Sequence, residues 1–166
     1  MHDPALSTAQ HRELIEALAL SHVLPHDTLP VEECLGRRLS VDVFSLIPLP
    51  PFTNSAMDGF AVRREDLEGE GPWTLPVAGD IPAGDTRDNR LEKGQAWRIM
   101  TGAPIPQGAD TVVKVEHTDH AAGVAQAPAT VEIRVAPKLG ENVRVAGEAL
   151  EAGSPVLEAG RILDGT

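Results

Sequence analysis

Fourteen prolines and fifteen glycines, most of them beyond residue 47, constrain this 166-residue chain more than any other feature. Proline removes a backbone donor and fixes φ, while glycine lets the chain turn, so neither suits a long regular element. The region after residue 47 is therefore predicted to fold as short strands joined by tight turns. The candidates are Phe60 to Arg63, Trp73 to Ala78, Ala96 to Met100, Thr111 to Thr118, Gly123 to Gln126 and Thr130 to Ala136. The last alternates most cleanly, with Val131, Ile133 and Val135 on one face and Thr130, Glu132 and Arg134 on the other. Strands of this length and spacing predict a small β barrel or sandwich.

Before residue 47 the pattern differs. Ser7 followed by Gln10 is a capping box, and Leu14, Ile15, Leu18 and Val23 recur at helical spacing. A helix from Ser7 to about His22 is expected, ended by Leu24-Pro25 and carrying an apolar stripe that must pack on something. Pro30 and Gly36 bracket a second, short helix. Arg38 to Phe44 reads as a strand, stopped by Pro48, Pro50 and Pro51. Near the end, Leu150-Glu151-Ala152-Gly153 recurs as Leu157-Glu158-Ala159-Gly160, which reads as two glycine turns flanking a short Val156-Leu157 strand rather than a repeat architecture. The final Leu163-Asp164-Gly165-Thr166 reads as a cut.

A net charge of −11, a pI near 4.9 and only three lysines exclude an ordinary nucleic-acid binder. The five aromatics are scattered and form no stacking stripe. Cys34 is alone, which rules out a disulfide framework within the chain and favours a reducing cytoplasm. Its neighbours Val31 and Leu35 make it a small buried hydrophobe in this reading. Asp3, His11, Arg12 and Glu13 leave no signal-peptide core, and no apolar run approaches the length of about 20 residues that spans a bilayer. A cytoplasmic location without membrane contact is expected.

Three stretches concentrate polar groups in loops. In Pro48 to Val62, prolines fix the entry and Asn54, Ser55 and Asp58 fall together before a strand, although Asp58-Gly59 also reads as an ordinary turn pair. In Arg98 to Thr111, Thr101 offers a hydroxyl and Gly102 allows close backbone approach, which suits an oxyanion or phosphate; a rigid connector is the plainer alternative. In Pro137 to Arg144 and on to Gly147-Glu148, Arg144 could pair with an anion and Glu148 could hold Mg²⁺, or the segment could be a solvated hairpin. His117 and His120 lack the further ligands of a zinc site.

Taken together and in this order, Asn54-Ser55-Ala56-Met57-Asp58-Gly59-Phe60-Ala61-Val62, Arg98-Ile99-Met100-Thr101-Gly102-Ala103-Pro104, and Gly140-Glu141-Asn142-Val143-Arg144 with Gly147-Glu148 resemble the three motifs of the molybdopterin molybdenumtransferase family, the MoeA-type enzymes related to the gephyrin E domain. Weaker similarity runs through Leu29-Pro30 and Gly36-Arg37, so the resemblance covers nearly the whole chain. It implies an N-terminal helix at 1–26, a small mixed α/β domain from 27–44 resumed at 154–166, and an inserted β-rich barrel or sandwich domain at 45–153. A later nucleotide-binding α/β domain would lie outside this chain.

The resemblance also implies a reaction. Members insert molybdenum from molybdate into adenylylated molybdopterin with Mg²⁺ and release AMP, at a site shared by the two subunits of a homodimer. Carried over by motif, Asp58 would be the carboxylate at the Mg²⁺ and molybdate end and Thr101 a catalytic oxyanion donor. Asn54, Ser55, Gly102 and Arg144 would contact the anionic substrate, and Glu148 would join Asp58 on the metal. One departure stands out: the family's usual Gly-Glu-Asp is Gly147-Glu148-Ala149 here, which removes an acidic group. That replacement motivates a competing expectation, a non-enzymatic accessory or dimerisation module docking on cofactor-pathway proteins.

Overall fold

A computed structural model describes residues 6–22, 25–121, 123 and 126–165. The chain divides into two compact units, Met1–Val43 with Leu157–Thr166, and Phe44–Val156. Strands β1 (Val43–Phe44) and β9 (Pro155–Leu157) lie where the chain passes from one to the other.

In the first unit, helix α1 spans Thr8–Ser21. Its start is set as the sequence predicts: the Ser7 side chain accepts from the Gln10 amide, and the Gln10 side chain accepts from the Ser7 amide. Its apolar stripe is not covered, since the helix has no buried residue and Leu14, Ile15 and Leu18 are exposed. Val23 and Leu24, expected at its end, lie outside the described residues. The expected second helix is a single 3₁₀ turn, Val31–Glu33, and Cys34 is half-buried rather than buried because Val31 and Leu35 beside it face solvent. The Arg38–Phe44 strand shrinks to an isolated bridge between Arg38 and Ile162 and the two residues of β1. Backbone bonds from Gly36 to Leu163 and from Leu39 to Arg161 hold this short pairing.

The second unit is mostly β. Its five-stranded sheet contains β3 (Gly59–Val62), β4 (Trp73–Ile81), β5 (Ala96–Ile99), β6 (Thr111–Lys114) and β7 (Thr130–Ile133), in the order β6-β3-β5-β4-β7. All pairs are antiparallel except β4–β5. β4 pairs β7 through Trp73–Pro76 and β5 through Val77–Ile81, with a register shift between Val77 and Gly79 that lets one strand serve two neighbours. The sheet curls as a half-barrel. A separate ribbon joins β2 (Asn54–Ser55) to β8 (Val143–Arg144).

Both faces of the sheet are covered. Along β3 the side chains alternate: Phe60 and Val62 pack with Leu67, Leu75, Val113, Val131 and Ile133, while Ala61 packs with Ile81, Ile99, Ala103 and Val112. Burial on two sides explains why β3 reads as a continuous apolar run. The Thr111–Thr118 expectation ends early: β6 stops at Lys114 and Val115–His117 form a 3₁₀ turn. The predicted Gly123–Gln126 strand includes Val124 and Ala125, which lie outside the described residues. Among those described, no helix is long and apolar enough to cross a membrane.

Candidate functional site

The first motif is built as a tight turn launched from β2. Asn54 and Ser55 are both buried. The Asn54 side-chain amide donates to the Phe52 carbonyl at 3.0 Å, and the Ser55 hydroxyl donates to the Met57 carbonyl at 2.6 Å while accepting from the Met57 amide. The side chains expected to bind the anion thus close their own loop, a use typical of serine and asparagine. The turn delivers Asp58 to solvent, and the Val115 amide donates to its carbonyl at 3.1 Å. Gly59 then enters β3 so close to β6 that an added Cβ would lie 2.0 Å from the Val113 carbonyl oxygen. Asp58-Gly59 is therefore more than a turn pair: the glycine is a steric requirement of the sheet.

The second motif leaves β5 through a turn in which the Ala103 amide donates to the Met100 carbonyl at 3.0 Å, with Gly102 in its third position at φ +80°. The Gly102 amide donates to the Ser55 carbonyl at 2.8 Å, and the Ser55 amide donates to the Ala103 carbonyl at 3.0 Å. These two bonds dock one motif on the other. Thr101 is left at the tip, where its backbone N–H and its hydroxyl both donate to Asp58 Oδ1 at 2.7 Å.

The third motif closes the back of the same loops. β8 pairs antiparallel with β2, Arg144 opposite Asn54 and Val143 opposite Ser55. Asn142, left-handed at φ 59°, accepts from the Ala56 amide through its carbonyl, and its side-chain amide donates to the Val112 carbonyl. Arg144 is exposed. Glu148 is exposed too, but its Oε2 accepts from the Val145 amide at 3.0 Å, closing its own turn. No bond joins Glu148 to Asp58. All three motifs therefore converge, and among the described residues Asp58 and Thr101 are the pair that joins them by a side-chain to side-chain hydrogen bond.

Asp58 is held below the usual carboxylate range. The Thr101 amide contributes most, then the Thr101 hydroxyl; partial burial opposes them and the charge of Arg98 adds to them. Its Oδ2 accepts no hydrogen bond among the described residues, so one oxygen is fixed and the other stays available. Asp58 lines a cleft with Phe60, Arg98, Met100, Val115 and His120. The cavity measures about 40 Å³, room for roughly three waters.

Arg98 and His120 are absent from the sequence-derived site. Arg98 does carry a signal: a cation in the middle of an interior strand needs a partner. It has one, as its Nη1 lies 2.9 Å from Asp80 Oδ2 across the parallel β4–β5 pair. His120 gives no such warning, because its ring reaches the Thr130 carbonyl at 3.0 Å only once β7 is in place. Among the described residues, no group of three or more His, Cys, Asp or Glu could hold a metal ion.

Residues 6–166 match the family model of the MoeA N-terminal region, domains I and II. The chain is 45% identical over 139 residues to molybdopterin molybdenumtransferase 2 of Mycobacterium tuberculosis strain H37Rv, covering 82% of this chain and 33% of that protein. It is 37% identical over 153 residues to the molybdopterin molybdenumtransferase of Staphylococcus epidermidis strain ATCC 12228, covering 90% and 35%. The molybdopterin biosynthesis MoeA protein of Pyrococcus horikoshii superposes with a TM-score of 0.77 at 30% identity, over 92% of this chain and 39% of that one. The chain thus spans about a third of the length of the curated relatives it matches. With its three motifs in order, its half-barrel fold and a match from residue 6 onward, the chain belongs to the family of MoeA N-terminal regions.

Proposed function

We propose that this chain is the N-terminal part of an enzyme of molybdenum cofactor biosynthesis that inserts molybdenum from molybdate into adenylylated molybdopterin and releases AMP. The observation that carries the reading is the Asp58–Thr101 contact, which joins two motifs more than forty residues apart at the protein surface. A cleft of about 40 Å³ takes a small polar group and not a nucleotide. The bulk of the substrate must therefore rest on another surface, in keeping with a site completed by a second subunit of a homodimer.

The donor set fits Mg²⁺ in one manner only. Mg²⁺ keeps several waters and takes one or two carboxylates together with substrate phosphate oxygens, rather than an all-protein cage. Asp58 would hold it through Oδ2; Glu148 would have to release the Val145 amide to join. Bound there, the ion would neutralise phosphate and molybdate oxygens as negative charge builds. The chain's own part is to keep Asp58 ionised and aimed. Thr101 does this by binding Oδ1, so its hydroxyl serves the carboxylate and not the oxyanion directly.

The test is a chimera. This chain replaces the matching segment of the Staphylococcus epidermidis relative, in a host lacking its own molybdenumtransferase, and molybdoenzyme activity is measured. The chimera is expected to restore activity and its Asp58→Asn form to lose it. A folded, dimeric chimera without activity would count against the assignment and favour an accessory module.

A further inference from the structure

We infer that Asn142 is a positioning residue of the proposed site: it ties the turn that carries Asp58 to the edge of the five-stranded sheet, and through that turn sets how Asp58 meets a cation. The inference deepens the proposed function and rests on its reading of Asp58 as the cation-binding carboxylate. β6 is an edge strand, with β3 as its one neighbour in the sheet. Its outward peptide groups therefore need partners from elsewhere. The third motif supplies them in place of a further strand. The Val112 amide donates to the Glu141 carbonyl at 3.0 Å, and the Asn142 side-chain amide donates to the Val112 carbonyl at 2.9 Å. The Gly140 amide adds a bond to the Thr111 hydroxyl at 3.2 Å.

The main chain of the same residue faces the other way. Its carbonyl accepts from the amide of Ala56, in the turn that delivers Asp58, at 2.9 Å. Asn142 thus spans from β6 to that turn. The chain leaving β6 also brings Val115, whose amide holds the Asp58 carbonyl, so the turn is referenced to this strand at both its ends. The residue type matches the task. At φ 59°, Asn142 is the one non-glycine residue at positive φ among the described residues. Asparagine tolerates that conformation and also carries an N–H donor. Glycine would supply the backbone without the donor, and an ionised aspartate the shape without the donor. Glutamine would bring the donor on a longer arm, from a residue that rarely turns left-handed. Because its side-chain amide is directed at Val112, Asn142 acts on Asp58 through Ala56 and not on a ligand.

Two measurements test this. In the 166-residue chain, NMR reads the Asp58 χ1 couplings and the hydrogen exchange of the Thr101 amide, a group bonded to Asp58 and not to Asn142. Asn142→Gly keeps the left-handed backbone and removes the donor, while Asn142→Asp keeps the shape and removes it. Both are expected to turn one Asp58 rotamer into an average and to speed Thr101 exchange by about tenfold, as local opening of the turn would. In the purified chimera, both should raise the Mg²⁺ concentration for half-maximal activity by about tenfold while holding kcat at saturating Mg²⁺ within about twofold, the split expected when binding and not the chemical step is disturbed. Ile133→Val lightly loosens the core on β7, at the opposite edge of the sheet. It should move none of these values, which separates positioning from a general loss of stability. The inference is overturned if the two Asn142 variants keep the parent couplings and the parent Thr101 exchange, or if Ile133→Val shifts them as far. The two claims come apart in one further result. If the Asn142 variants average the couplings and leave the Mg²⁺ requirement where it was, the reading of Asp58 as the metal carboxylate fails and Asn142 remains the support of its turn.

Discussion

Thr101 directs both of its donors, the backbone N–H and the side-chain hydroxyl, at a single oxygen of Asp58, each at 2.7 Å. Two donors on one oxygen anchor Oδ1 and leave Oδ2 without a hydrogen bond among the described residues. Thr101→Val keeps the shape and the amide bond but loses the hydroxyl, so it should loosen Asp58 without releasing it. Asp58 χ1 couplings measured by NMR are expected to report one rotamer in the parent and in Thr101→Ser, and averaging in Thr101→Val. The pair is exposed, so the stability change should stay within about 1 kcal/mol. A single Asp58 rotamer in Thr101→Val would show that the amide alone sets the geometry.

Acid should weaken the second unit through two carboxylates. Asp58 is lowered mainly by Thr101, and Asp85 is lowered by the Arg87 side chain first and its backbone amide second, with Asn89 adding. A carboxylate whose folded pKa lies below its unfolded value stabilises the fold above the unfolded pKa, near 4, and loses that contribution as pH falls through the folded value. Asp85→Asn is therefore expected to lower the urea midpoint at pH 6, with the gap from the parent closing toward pH 2. A gap that stays constant over that range would mean that the Asp85 charge does not contribute.

Local chemistry was legible in the sequence and long-range pairing was not. The Ser7–Gln10 capping box, the strand cores around Phe60, Trp73 and Ala96, and the existence of three polar loops follow from rules that act within a few residues. The docking of Gly102 on Ser55, and of Val143–Arg144 on Asn54–Ser55, joins segments far apart along the chain, and nothing nearby in sequence announces it. That docking turned Asn54 and Ser55 from candidate ligands into loop supports. It also turned Thr101 toward Asp58. Arg98 went unassigned because its meaning depends on Asp80, eighteen residues away on a parallel neighbour.

Glycine at 59 and glycine at 102 should fail differently when replaced by alanine. At Gly59 the new Cβ would fall 2.0 Å from the Val113 carbonyl oxygen, forcing β3 and β6 apart in the interior of the sheet. A loss on the order of 2–4 kcal/mol is expected, at the severe end for a point change. At Gly102 the Cβ meets nothing within 4 Å, and only the left-handed backbone at φ +80° resists it, for about 1–2 kcal/mol. Urea unfolding of both variants gives the comparison. Equal losses would mean that β3 and β6 relax apart easily.

The end of β7 supplies a sharper contrast within one apparent pattern. Val131, Ile133 and Val135 alternate as if all three faced the core, and the first two are fully buried. Val135 is 46% exposed, because β7 stops pairing with β4 at the Trp73–Ile133 position. There the Arg134 amide turns to the His117 carbonyl instead, at 2.8 Å. Past that point the two-residue period no longer has a sheet to refer to, so the third apolar residue gains no core contacts from its spacing. Ile133→Ala should cost about 2–5 kcal/mol, the range for truncating a buried aliphatic side chain. Val135→Ala should stay within about 0.5 kcal/mol, as for an ordinary surface change. Thermal or urea unfolding measures both, and a comparable loss at Val135 would place that residue under cover in solution and extend β7 beyond Ile133.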